Sequence, residues 1–245
     1  MLLQKIDPVV VVCFRMHDVA SDFLTQHLFV IKRAMLIVAH MSLFGFLFPE
    51  LRKEFGQVAA SLLMIILFLS PLSRLFRMRL LVQLMGIRRE LGILMAYLAT
   101  VHGLGFLLDP DWFAIFIAPY WQTDVWAIEP QFLFGILAYT LTLPLLFTSN
   151  NLAVRFLGGA RWKLLHRLVY GLFAVTMFHR FFTKSVSGDA LVALIQGMVL
   201  VSAYVLAKLL AWKNFIAPLR NSIMLVGARY QTYLLEKNNQ TSFHL

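Results

Sequence analysis

The chain consists of long apolar runs separated by short clusters of charged residues. A hydrocarbon core of about 30 Å takes about 20 helical residues to cross, and several of the runs approach that length. They cover residues 28–48, 58–72, 91–108, 130–149, 164–182 and 190–212. This pattern predicts an all-α integral membrane protein, built as a six-helix transmembrane bundle.

The basic residues predict how this bundle is oriented, because Lys and Arg accumulate on the cytoplasmic side of membranes. With the N-terminus inside, most of them fall on the inner side, and the outer side keeps only four. Those four are Arg52, Lys53, Arg180 and Lys184. Both termini are therefore predicted to be cytoplasmic. Residues 1–27 would form an amphipathic N-terminal segment, residues 28–212 the membrane domain, and residues 213–245 a basic cytoplasmic tail.

Composition excludes several classes of function. Hydrophobic residues make up 60% of the chain and charged residues 14%, which is too apolar for a water-facing surface. The formal charge of +10 lies in short clusters between apolar runs, so it indicates topology and membrane lipid rather than nucleic acid. The single cysteine, Cys13, excludes a cysteine-ligated cluster.

The outer loop, residues 109–129, is both acidic and aromatic. One interpretation is an interfacial aromatic belt, and the other is a lid or docking surface on the outer face. Its aromatic residues are Trp112, Phe113, Phe116, Tyr120, Trp121 and Trp126.

Histidines inside the predicted spans are the candidates for chemistry, because ionisable groups in a bilayer are costly and usually functional. A neutral imidazole is a common axial ligand of haem, and a bis-histidine site needs two at matched depth. His102 lies about 20 Å and His179 about 25 Å along helices that enter from the inside, whereas His166 is only about 6 Å in. The depths predict His102 and His179 as a pair of haem ligands.

His166 and His179 lie about 140° apart around an ideal helix, so they cannot both face the third span unless that helix is distorted. His166 is therefore left to bind a second haem, a propionate or a quinone. Arg167 and Arg180 either pair with haem propionates or extend to the membrane surfaces. His40 is expected to hydrogen-bond a neighbouring helix.

Other membrane chemistries lack their motifs. The chain has no His-Glu-x-x-His or Gly-x-Ser motif, and no Gly-x-Gly-x-x-Gly or Walker loop for a nicotinamide or nucleotide. Electrons must then arrive from another molecule. The inner arginines, residues 74–89 and 161–167, either receive that donor or only set topology and bind lipid. A cofactor-free scaffold or transporter remains the alternative from another class.

Two stretches of sequence resemble the ferric-reductase-like transmembrane domain, in particular the MsrQ (YedZ) family of haem-binding membrane subunits. The first contains Arg88-Arg89-Glu90-Leu91-Gly92 followed by His102, and the second contains Leu165-His166-Arg167-Leu168-Val169-Tyr170 followed by His179. Weaker similarity lies in residues 70–72, 145–149 and 157–158. The chain departs from the family where Val101 precedes the histidine and Phe106 replaces a tyrosine.

The resemblance implies a bacterial inner-membrane subunit that binds haem b through His102, His166 and His179. It implies that electrons come from quinol or reduced flavin and pass to a periplasmic molybdenum-cofactor reductase that repairs methionine sulfoxide in envelope proteins. FMN also belongs with the family, although no residue here places it. A stand-alone ferric-chelate or quinone reductase of the same fold is the alternative within electron transfer.

Overall fold

The chain is helical throughout the residues that the computed structural model describes, which are 8–116, 118, 128–213, 221, 224–228 and 232. Within them there is no strand. Short 3₁₀ helices occupy Ser42–Leu47, Pro49–Leu51 and Met85–Ile87. The α-helices with defined bounds are α1 Pro8–Met41, α2 Arg52–Phe76, α3 Arg79–Leu84, α4 Arg88–Leu107, α5 Pro110–Phe116, α6 Pro130–Phe147, α7 Asn151–Leu157, α8 Gly159–Leu165, α9 Leu168–Val186 and α10 Ala190–Lys213.

Five helical stretches are long and apolar enough to cross a membrane, so the chain is a multi-pass membrane protein. They are Val12–Leu47, Pro49–Phe76, Arg79–Leu107, Pro130–Phe147 and Ala190–Trp212. The predicted all-helical membrane class is confirmed. Helix α9 is not among the five, and its second half carries His179, Arg180 and Lys184, which lower its hydropathy. The count of six spans and the cytoplasmic side of both termini stay predictions.

Helix boundaries differ from the predicted ones at the first span. Helix α1 begins at Pro8, not near residue 28, and continues without interruption to Met41. Residues 8–27 therefore belong to the same continuous helix as the first residues of the predicted membrane domain. Residues 1–7 of the predicted N-terminal segment, and most of the predicted tail at 213–245, lie outside the described residues.

The predicted fifth span is interrupted. Helix α8 ends at Leu165 and α9 begins at Leu168, with His166 and Arg167 between them. The tighter i→i+3 pattern takes over there, since Arg167 N donates to Leu164 O at 3.0 Å and Tyr170 N to Arg167 O at 3.0 Å. His166 thus lies in the turn before α9, the helix that carries His179, and the ideal-helix angle between the two residues does not apply.

The chain divides into two compact units. One consists of residues up to Phe29, the stretch Phe68–Gly86 and the residues from Val205 onward. Its described part is held by a polar cluster, in which Ser21 Oγ donates to Gln83 Oε1 at 2.7 Å and Gln83 Nε2 donates to Thr25 Oγ1 at 2.6 Å.

The other unit, Val30–Leu67 with Ile87–Tyr204, contains the histidines of interest within the spans. Its most extensive helix packing is between α6 and α9, and α4 also packs against α6. Phe134 on α6 stacks on Phe178 and Phe182 of α9, with ring centroids 5.3 and 5.4 Å apart. This packing brings α4, α6 and α9 together around the candidate site.

Candidate functional site

The rings of His102 on α4 and His179 on α9 meet inside the second unit. Their centroids are 6.0 Å apart and their planes cross at 70°. The depth estimate from sequence predicted that these two imidazoles share one level, and the structure brings them together. Both side chains are half-buried.

Each ring of this pair is held by a main-chain carbonyl on a different helix. His102 Nδ1 lies 2.9 Å from Arg52 O at the start of α2, and His179 Nδ1 lies 2.7 Å from Gln131 O at the start of α6. A carbonyl oxygen can only accept, so Nδ1 is the donor in both rings. The tautomer then leaves both Nε2 lone pairs free to bind a metal.

Aromatic side chains line one side of the pair. Phe106 packs edge-on against His102 with centroids 5.4 Å apart, and Trp112 packs against Phe106 at 5.1 Å. Phe132 lies 5.7 Å beyond Trp112. Trp112 is one member of the predicted aromatic loop; Tyr120, Trp121 and Trp126 lie outside the described residues, so the belt and lid interpretations both stay predictions.

Arg52 adds a cation beside this aromatic wall. Its Nη1 donates to Asp109 Oδ2 at 2.5 Å, with the two side chains 13% and 21% exposed. Its guanidinium lies 5.8 Å from the centre of the Phe106 ring. In the described structure its Nε is buried without a hydrogen-bond partner. A buried donor without a partner is costly, so Nε–H is available to an anionic group.

His166 occupies a separate site. Thr148 Oγ1 donates to Pro144 O at 2.6 Å, so it accepts from His166 Nε2 at 3.1 Å. The Trp162 ring covers the imidazole with centroids 4.1 Å apart, and Trp162 Nε1 donates to Thr148 O at 2.8 Å. Among the described residues, no three His, Cys, Asp or Glu side chains form a metal-binding group. The structure thus pairs two of the three predicted ligands.

The remaining predicted residues make no contact with the pair among the hydrogen bonds and ion pairs of the described residues. Arg167 is exposed, and Arg180 is exposed and donates to Gln196 Oε1 at 3.4 Å. Within the described part of the chain, neither makes a hydrogen bond or ion pair with His102 or His179. The expected structural role of His40 is confirmed, since its Nδ1 donates to Leu36 O at 2.7 Å and its Nε2 lies 3.3 Å from Tyr97 Oη.

Sequence reasoning missed three kinds of residue. Arg52 and Gln131 act through carbonyls that every residue carries, so no motif marks them. Gly56 and Gly135 lie against the two rings, and an isolated glycine in a helix does not indicate such a contact. Glu90 was noted only within a motif, yet its side chain is 2% exposed, with Oε1 bonded to Arg89 and Oε2 buried without a partner in the described structure.

The fold and the site define the class: an all-helical multi-pass membrane protein in which an imidazole of α4 meets an imidazole of α9. The sequence matches the family described as "Ferric reductase like transmembrane component" over residues 55–177, half of the chain. No solved structure has a significant match to it.

Similar proteins give a narrower assignment. The chain is 30% identical over 162 residues to a protein of Herminiimonas arsenicoxydans, covering 66% of this chain and 71% of that one. It is 34% identical over 164 residues to one of Azospira oryzae, covering 66% and 64%. Both are named "Protein-methionine-sulfoxide reductase heme-binding subunit MsrQ". The chain therefore belongs to the MsrQ family of ferric reductase-like transmembrane proteins, which makes it a membrane redox subunit.

A relative of another name is similar to part of the chain. The magnetosome protein MamZ of Magnetospirillum gryphiswaldense is 30% identical over 127 residues, covering 52% of this chain but 18% of MamZ. The chain also spans less than two thirds of the Azospira relative. The domain thus occurs within larger proteins of different names.

The Arg52–Asp109 pair predicts a pH-dependent contribution to stability. The hydrogen bond from Arg52 lowers the pKa of the Asp109 carboxyl, so the folded state favours the carboxylate. We expect Asp109→Asn to lower the melting temperature at pH 7. The deficit should persist above the unfolded pKa of about 3.9 and vanish as pH falls through the lowered folded pKa.

The measurement is thermal unfolding of detergent-solubilised protein across this pH range. Asp111→Asn is the matched control, because it removes the same charge from an exposed side chain two residues away. Equal effects of the two substitutions at pH 7 would contradict a specific role for the Arg52–Asp109 pair.

Proposed function

We propose that the chain is a b-type haem subunit that carries electrons across the bacterial inner membrane to a methionine sulfoxide reductase. The observation that carries this proposal is the shared arrangement of His102 and His179. Each ring donates from Nδ1 to a main-chain carbonyl, which leaves Nε2 as the free ligand atom of both. His102 and His179 would hold haem through these two atoms, and bound haem would supply redox chemistry there.

The residues present fit haem in two further respects. An imidazole nitrogen lies about 2 Å from a bound metal, and ring centroids 6.0 Å apart leave room for one metal between the rings. The propionates of haem are anionic, and Arg52 offers a buried Nε–H without a partner beside Phe106. We therefore assign Arg52 as a propionate donor, ahead of Arg167 and Arg180, which are exposed.

Bound haem would supply a one-electron couple. The protein's own part is to hold both imidazoles in one tautomer, to keep Phe106 and Trp112 against the pair, and to exclude water. In the orientation predicted from Lys and Arg, the pair would lie in the outer half of the membrane. From there electrons would leave to a periplasmic partner.

The names of the relatives, heme-binding subunits of a protein-methionine-sulfoxide reductase, support the choice of partner. Reduction of a sulfoxide to the thioether takes two electrons and two protons and releases water. We propose that a periplasmic molybdenum-cofactor reductase carries out this step on envelope proteins, and that this chain supplies the electrons one at a time.

The donor would approach from the inner side. His166, with Trp162 and Thr148, and the arginines at the start of α4 lie toward that side in the predicted orientation. Quinol or reduced flavin is the donor class that we propose, and His166 is the residue we place next to it or to a second haem. Nothing in the described structure assigns an FMN site.

Removal of either axial ligand should remove the haem. We expect purified wild-type protein to show a Soret band and sharp α and β bands on reduction with dithionite. His102→Ala and His179→Ala should each lose most of this haem, measured per chain as the pyridine haemochrome. His40→Ala is the matched control, because its ring bonds Tyr97 and should leave the haem in place.

His166→Ala separates the two sites. The low-spin spectrum of the His102–His179 site should persist in this variant, and a fall in haem per chain would locate a second haem at His166. A wild-type protein without haem would instead support a scaffold or transporter. Full haem in His179→Ala would rule out the pairing.

The destination of the electrons can be tested with reduced protein in lipid nanodiscs under anaerobic conditions. We expect the α band to persist when methionine sulfoxide is added alone, and to decay when the periplasmic molybdenum-cofactor reductase is added with it. Rapid decay with ferric citrate, unaffected by that reductase, would favour a stand-alone ferric-chelate reductase. His102→Ala serves as the control for electron flow that bypasses the site.

A further inference from the structure

We infer that Gly56 and Gly135 are positioning residues for the histidine pair, each one exposing the carbonyl that holds an imidazole. The expected effect on haem binding rests on the proposed haem function. The contact of each glycine with its histidine ring does not. Gly56 follows Arg52 by four residues on α2, and Gly135 follows Gln131 by four residues on α6. The same spacing therefore recurs on two helices, each next to a different histidine.

A helix explains why this spacing matters. The Cα–Cβ bond tilts toward the helix N-terminus, so the side chain of a residue covers the turn before it. A side chain at position i+4 therefore lies over the carbonyl of residue i. With glycine at that position the oxygen is open. It has two lone pairs, so it can accept a ring N–H and still keep its bond within the helix.

The distances around Gly56 leave no room for a side chain. A Cβ there would lie 2.6 Å from His102 Nδ1 and 2.7 Å from Cε1. The ring is held by its bond to Arg52 O and by its edge-on contact with Phe106. A methyl group on residue 56 must therefore displace the ring and break the bond that sets its tautomer.

Gly135 makes the corresponding contact more loosely. A Cβ there would lie 3.2 Å from both His179 Cε1 and His179 Nδ1. The ring needs to shift by only a few tenths of an ångström. The two glycines thus predict graded effects, with the larger at Gly56.

The test is alanine substitution at each glycine in the full chain, with haem content, low-spin ferric EPR signal and midpoint potential as readouts. Gly56→Ala should lower haem affinity by about 10- to 100-fold, the usual loss when a ligating histidine loses its outer partner. Gly135→Ala should keep more haem but shift the EPR signal and the potential. Alanine favours helix more than glycine does, so helix propensity cannot cause these losses.

Gly92 and Gly197 provide matched controls. They lie within α4 and α10, and a Cβ at either would meet nothing within 4 Å. Gly92→Ala and Gly197→Ala should keep the wild-type haem content, EPR signal and potential. If Gly56→Ala and Gly135→Ala match these controls while His102→Ala loses haem, the inference is wrong and the haem function stands. If Gly56→Ala does not accumulate in membranes, Gly135→Ala decides by the same comparison.

A double variant tests the geometry even if the wild-type protein binds no haem. Gly56→Ala should lower the melting temperature of the apoprotein when His102 is present, because the new methyl group collides with its ring. In a His102→Ala background the same substitution should cause no loss. An equal loss in both backgrounds would show that Gly56 serves only helix packing, and would overturn the positioning role.

Discussion

The two hydrogen bonds from imidazole Nδ1 to a helix carbonyl are the contacts on which the rest of the site depends. A polar N–H that lies among apolar helices without a hydrogen-bond partner costs on the order of several kcal/mol, as an unpaired polar group in lipid does. The carbonyls of Arg52 and Gln131 remove that cost for His102 and His179. The same bonds also determine the tautomer. Because Nδ1 carries the proton and donates it to the carbonyl, Nε2 keeps its lone pair.

This requirement explains why four helices, and not two, build the site. Helices α4 and α9 carry the rings, but α2 and α6 supply the oxygens, each from its first turn. The N-terminus of a helix carries a partial positive charge from the helix dipole. Arg52 lies in the first turn of α2, and its buried Nε–H has no hydrogen-bond partner in the described structure. The site therefore combines neutral ligands for a metal with an N–H donor for an anionic group.

Sequence reasoning could predict the elements of the site but not its support. Span length and residue counting placed His102 and His179 at one level, because helical rise is constant. The carbonyl partners could not be predicted, because Arg52 and Gln131 lie 50 and 48 residues away in the sequence from the rings they hold. Gly56 and Gly135 look like ordinary glycines until the neighbouring ring is known. The break at His166 was also hidden, because Leu165 to Tyr170 has no proline or glycine to mark it.

That break gives the two histidines of the predicted fifth span different chemistry. On a continuous ideal helix the two residues would diverge by about 140°. With α8 ending at Leu165, the His166 ring bonds Thr148 through Nε2, the atom that His179 keeps free. For His166 to bind a metal through Nε2, the bond to Thr148 has to open first. Within the described residues, the His102–His179 pair has no such bond to break, so it is the arrangement already prepared for a ligand.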